Sequence, residues 1–190
     1  NNVLDATQGW TKLVSDEAEL AGLPQSVLAA ARQLAEQKGQ QGWLFTLDIP
    51  SYLPVMMYAD NRALRAELYE AFTTRASDQG PNAGKWDNSA IMSELLTLRR
   101  ELAQLLGFAN YAELSLATKM ADKPDQVVSF LTDLAAKSLP QGKAELEEIR
   151  AFAAEQHGQS ELAAWDLAYY AEKLKQHKFS ISDEQLRPYF

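Results

Sequence analysis

The chain has 190 residues, 46% hydrophobic and 23% charged, which is ordinary for a folded water-soluble protein and excludes collagen-like, low-complexity and wholly disordered chains. Twenty-six acidic against 18 basic residues give a formal charge of -8; this repels phosphate backbones and anionic lipid, so no nucleic-acid and no membrane partner is expected. With no cysteine, disulfides, thiol nucleophiles and cysteine-held metals are excluded, and a reducing compartment fits.

Asn1 to Asp5 show neither the basic start nor the apolar stretch of a targeting segment. From Asn2 to Leu20, Val3, Leu4, Trp10, Leu13 and Val14 fall at broadly helical spacing, with a break near Ser15 and Asp16. Pro24 opens a helix through Val27, Leu28, Ala31 and Leu34 that Gly39 ends. Trp43, Phe45, Leu47 and Ile49 then alternate with Leu44, Thr46 and Asp48, which predicts one short β element in need of a partner. A short helix from Ser51, with Pro54 near its first turn, leads to a longer one capped by Asp60 that turns Leu64, Leu68 and Phe72 inward. The run Tyr52 to Ala59 is the densest apolar stretch and falls far short of the ~20 residues of a membrane span.

Ser77 to Lys85 reads as a loop, after which Asp87 or Asn88 caps a helix with Ile91, Leu95, Leu98, Leu102, Leu105 and Leu106 on one side. Asn110 to Met120 is a further short helix. Pro124 opens a long helical stretch that Pro140 is expected to kink or divide before it reaches Gly158. A last full helix covers about Ala163 to His177, with Phe179 and Ile181 extended, and Ser182 with Gln185 forms a capping box for one more. That box has barely two turns before Phe190, and the other end begins with Asn1, so the chain is expected to be an internal piece of a longer polypeptide. No repeat at helical-solenoid periods is found.

Chemistry-bearing patterns are sparse. His157 and His177 are the only histidines, and Gly158 separates His157 from Glu161, so helix-end solvation rather than a metal site is expected. No phosphate-cradling glycine motif occurs. Arg99 and Arg100 beside Glu101 suggest ion pairing, and Glu145, Glu147 and Glu148 with Lys143 a solvated charged face. Trp165, Asp166, Tyr169 and Tyr170 form the most pointed cluster, because offsets of three and four put Asp166 close to both tyrosines on a helix surface. Two versions stand: a structural hydrogen-bond network, which aromatic stripes at helical spacing favour, and tyrosines lining a cleft and donating to a peptide carbonyl.

The blocks Leu47-Asp48-Ile49-Pro50-Ser51-Tyr52-Leu53-Pro54-Val55-Met56, Thr74-Arg75-Ala76-Ser77, Trp86-Asp87-Asn88, the run from Leu98 to Phe108, Lys119-Met120-Ala121 and Trp165-Asp166-Leu167-Ala168-Tyr169-Tyr170 occur in one order. Together, over essentially the whole chain, they resemble the thimet oligopeptidase family of zinc metallopeptidases. The resemblance implies a cytoplasmic endopeptidase that cuts short peptides in a deep channel between two mainly helical lobes of a zincin-type fold. It also implies a zinc held by a His-Glu-x-x-His helix and a later glutamate. No position here matches that motif, so no catalytic and no metal residue is carried over, and this chain alone is expected to bind no zinc and to be inactive.

The expectation is therefore a mainly α, multi-helical single unit, residues 1–190, with one short β element, that supplies scaffold and channel wall to a catalytic lobe it lacks. Trp165, Asp166, Tyr169 and Tyr170 are its candidate wall or structural cluster. An apolar patch exposed by the missing lobe could support self-association. The competing expectations are a helical module that binds peptides or partner helices without cleaving them and, last, a stand-alone enzyme using Asp166 and the tyrosines.

Overall fold

The pairing partner that the Trp43 segment requires comes from a stretch whose spacing looked helical. In the computed structural model, which describes residues 1–181 and 189, α1 (Asn2–Gln8) stops at Gly9 and the chain turns into β1 (Thr11–Val14). This strand pairs antiparallel with β2 (Trp43–Thr46), Thr11 opposite Thr46 and Val14 opposite Trp43. The helical expectation for Asn2 to Leu20 is thus corrected: β-branched Thr11 and Val14 satisfy their backbone groups on β2, and the nonlocal ladder overrides weak local preference. Beyond it, Glu17–Leu20 makes one 3-10 turn, started by Asp16, whose Oδ1 accepts from the Ala18 N–H at 2.9 Å.

β2 is shorter than its alternation suggested. Leu44 and Phe45, neighbours on opposite faces, are both buried, so β2 is covered on both sides, with α2 (Gln25–Gln37) packed on it. Ile49 already belongs to α3 (Ile49–Tyr58), with Pro50 in its first turn, where a missing N–H costs nothing, and Pro54 inside. The cap of α4 (Arg62–Thr73) is Asn61 rather than Asp60: Asn61 Oδ1 accepts from the Leu64 N–H at 3.1 Å, which leaves the Asp60 carboxylate for another task. Tyr52, Phe72 and Arg75 form a three-layer stack, with the rings 4.0 Å apart and the guanidinium 3.6 Å above Phe72.

The chain divides into two compact units, residues 1–87 with 148–190 and residues 88–147. The first has a continuous core that includes Trp10, Val14, Phe45, Leu47, Val55, Leu64 and Leu68. Its loop after α4 is anchored at Trp86, whose ring lies where a Cβ on Gly9 would be, so position 9 admits no side chain without displacing it.

The second unit holds α5 (Ser89–Leu105), α6 (Tyr111–Leu116) and the first part of α7 (Pro124–His157). Asn110 caps α6, accepting from the Glu113 N–H at 3.0 Å, and Arg99 lies 4.9 Å over the Tyr111 ring, a cation–π contact where ion pairing was expected. Pro140 does not divide α7, which runs unbroken for 34 residues. Residues 131–145 are exposed, so water can take up the Ala136 carbonyl that proline leaves without a helical donor.

In the first unit the last segment begins with a 3-10 turn, Ala164–Asp166, and continues as α8 (Leu167–Phe179). Phe179 is helical, not extended, and Ser180 at φ 53° ends the helix in the left-handed conformation. The capping box of Ser182 and Gln185 lies outside the described residues. None of the described helices is long and apolar enough to cross a membrane.

Candidate functional site

Helix α4 carries Arg65 on the stripe that also presents Leu64, Leu68 and Ala71 to the core, and its side chain is buried to 2% residual exposure. A guanidinium taken out of water at such a place needs an anion and hydrogen-bond acceptors. Asp166, wholly buried at the end of the 3-10 turn, is that anion, with Arg65 Nη2 donating to Oδ1 at 2.8 Å. The remaining Arg65 donors reach main-chain carbonyls: Ala59 at 2.6 Å and, at 3.3 Å each, Asp60 and Trp165. Arg62, one turn earlier on α4, completes the node from the solvent side, with Nη2 donating to Asp166 Oδ2 at 2.7 Å and Nε to both oxygens at 3.0 and 3.1 Å. The Ala163 N–H also donates to Oδ2, at 2.9 Å.

Burial by itself would push the Asp166 carboxyl up, but the hydrogen bonds from Arg62, Ala163 and Arg65 outweigh it and hold the group below the usual carboxylate range. The same Asp166 hydrogen bond, against some desolvation, raises the Arg62 guanidinium above its ordinary value. A carboxylate so fully supplied with donors is a poor proton acceptor. Asp166 ties the 3-10 turn that leads into α8 to α4, across about a hundred residues of sequence.

Of the four residues singled out from sequence, the structure gathers all near this node but changes their relations. Asp166 bonds to arginines rather than to the tyrosines. Tyr169 instead donates its hydroxyl to Asp60 Oδ1 at 2.7 Å, an oxygen that Lys173 also approaches at 3.6 Å, and its ring lies 4.1 Å from the Arg65 guanidinium carbon. Burial, then the bond to Asp60, raises the Tyr169 phenol far above its ordinary value; burial also raises Tyr170. Tyr169 and Tyr170 meet edge to face at 5.0 Å, and Trp165 packs edge-on against Tyr69 at 6.1 Å. The arginines were missed, yet α4 carried a signal: Arg65 sits three residues before Leu68 on an apolar stripe, a place where a charge demands a buried partner.

His157 and His177 flank one ring, each with its centroid 5.3 Å from that of Phe152, and His157 also lies 5.5 Å from Tyr170. Both are exposed, and they act as aromatic packing at a helix end. Among the described residues no three His, Cys, Asp or Glu side chains come together to hold a metal ion.

The model of peptidase family M3 matches residues 55–190, and the chain belongs to that family. Among its relatives, oligopeptidase A of Salmonella typhimurium is 70% identical over all 190 residues, and oligopeptidase A of Haemophilus influenzae is 63% identical over the same span. Dipeptidyl carboxypeptidase of Escherichia coli is 33% identical over 189 residues, 99% of this chain. The chain spans only 28% of the length of the two oligopeptidase A relatives and 27% of the carboxypeptidase.

Proposed function

We propose that this chain is part of a longer zinc-dependent metalloendopeptidase of the cytoplasm that hydrolyses short peptides in an internal channel. Within that enzyme the present residues supply scaffold and channel wall, and the bond-making groups lie elsewhere in the polypeptide. The family M3 match over residues 55–190 carries the reading, and relatives named oligopeptidase A, alike over the full length of this chain, support it.

Among the described residues no ligand set for zinc is gathered: the two histidines pack on a phenylalanine, the sequence has no His-Glu-x-x-His, and Asp166 is taken up by arginines. The contribution of this chain is then mechanical: the node of Asp166, Arg62 and Arg65 holds the 3-10 turn at the head of α8 on α4, and a wall so fixed excludes folded proteins and positions an extended peptide. The test is a quenched fluorogenic peptide incubated with zinc and either the 190-residue chain or the longer polypeptide. Turnover is expected from the longer polypeptide alone. Cleavage by the 190-residue chain, abolished by Asp166→Asn, would overturn the assignment; saturable peptide binding without cleavage by both would favour a binding module.

A further inference from the structure

Residues 88–147 form a compact unit in which only Ala103 is buried, although α5 alone exposes seven large apolar side chains. Sixty residues cannot offset their conformational entropy with one buried alanine, and soluble monomers rarely leave so large a contiguous apolar face in water. Something must cover it.

The pattern on α5 indicates what. Ile91, Leu95, Leu98, Leu102 and Leu105 follow one another at intervals of four, three, four and three, the spacing of a seam made for another helix. The first four line a 420 Å³ groove with Tyr111, which Glu94 and Arg99 flank. From Ile91 to Leu105 the seam runs for only about two heptads, where self-standing coiled coils sustain three or four, so a second copy at micromolar concentration would be held weakly. A helix tethered in the same polypeptide is presented at an effective concentration near millimolar and needs no longer seam. The relatives' length supplies such a tether, since this chain spans 28% of it.

We propose that the α5 seam is the docking face for an amphipathic helix contributed by the rest of the longer polypeptide, so that this unit gains its core only in the whole protein. The inference rests on the reading that such a longer polypeptide exists. The occupant would carry apolar side chains at the same three-four spacing, with a basic residue set toward Glu94 and an acidic one toward Arg99.

The chain has no cysteine, so Leu98→Cys places one reporter in the seam and Ser93→Cys one on the far side of the same helix. Alkylation is followed peptide by peptide by mass spectrometry in the 190-residue chain and in the longer polypeptide. Leu98→Cys is expected to react at least about tenfold more slowly in the longer polypeptide, independently of protein concentration, while Ser93→Cys reacts alike in both. Hydrogen exchange over residues 91–106 of the unsubstituted proteins gives the same comparison without a cavity. Equal rates at Leu98→Cys and equal exchange would overturn the proposal, as would protection that disappears on dilution, the mark of a second copy. Peptide turnover on the same samples tells the two readings apart: an active longer enzyme with α5 still open sinks the docking face alone, whereas a native product whose intact mass is that of 190 residues sinks both.

Discussion

Removing the Asp166 carboxylate should damage the first unit far more than removing the arginine that faces solvent. Asp166 is wholly buried and the Arg65 side chain retains 2% exposure, so Asp166→Asn leaves the Arg65 guanidinium in the core with main-chain carbonyls but no countercharge. Breaking one side of such a buried pair costs about 3–5 kcal/mol. The Arg62 side chain is 44% exposed and can turn to water, so Arg62→Gln should cost only about 0–1 kcal/mol once solvent screening is counted. Against a typical total of about 5–15 kcal/mol the first loss is severe, and for a chain of this size it lowers the unfolding midpoint by roughly 6–20 °C. All four tryptophans, Trp10, Trp43, Trp86 and Trp165, lie in residues 1–87 and 148–190, so their emission during urea or thermal unfolding reports this unit and not residues 88–147. Replacing both buried charges, Arg65→Met with Asp166→Leu, should recover much of the loss. If Asp166→Asn and Arg62→Gln cost the same, or the aspartate variant costs less than about 1 kcal/mol, the node is not the clamp its geometry indicates.

The same carboxylate sets an acid limit. Its folded pKa lies below the ordinary 3.8, so its contribution is complete above about pH 4 and is lost as pH falls through the folded value; tryptophan-detected stability at pH 2 to 5 should show this fall, and Asp166→Asn should flatten it. Gly22 takes φ +87°, and a Cβ there would press on the Tyr58 carbonyl and the Asp60 carboxylate, so Gly22→Ala should cost at least about 1–2 kcal/mol in the same unfolding assay. Pro140→Ala should restore the bond to the Ala136 carbonyl in exposed α7 and stabilise that stretch by up to about 3 kcal/mol, seen as slower amide exchange around residues 136–144; unchanged exchange would mean the helix already opens there for another reason.

Periodicity made most helices legible: the α4 and α5 stripes and the loop between them stand close to where the sequence placed them. Its most consequential failures share a cause, because they depended on a partner distant in sequence. Thr11 to Val14 became a strand through residues 43–46, and Asp60 gave up its cap to accept from Tyr169, more than a hundred residues on. Asp166 was singled out, but helix geometry offers only neighbours three and four residues away, so Tyr169 and Tyr170 took the place of the arginines that hold it. The lack of a core in residues 88–147 was invisible in the sequence, since leucines at helical spacing look the same whether or not anything packs on them.

Zinc stoichiometry measured side by side on the two proteins addresses the proposed division of labour most directly. After dialysis against trace zinc, the longer polypeptide should retain about one metal per chain and the 190-residue chain essentially none. One tightly held zinc on the 190-residue chain, released when His157 and His177 are replaced, would contradict the assignment of these residues to scaffold.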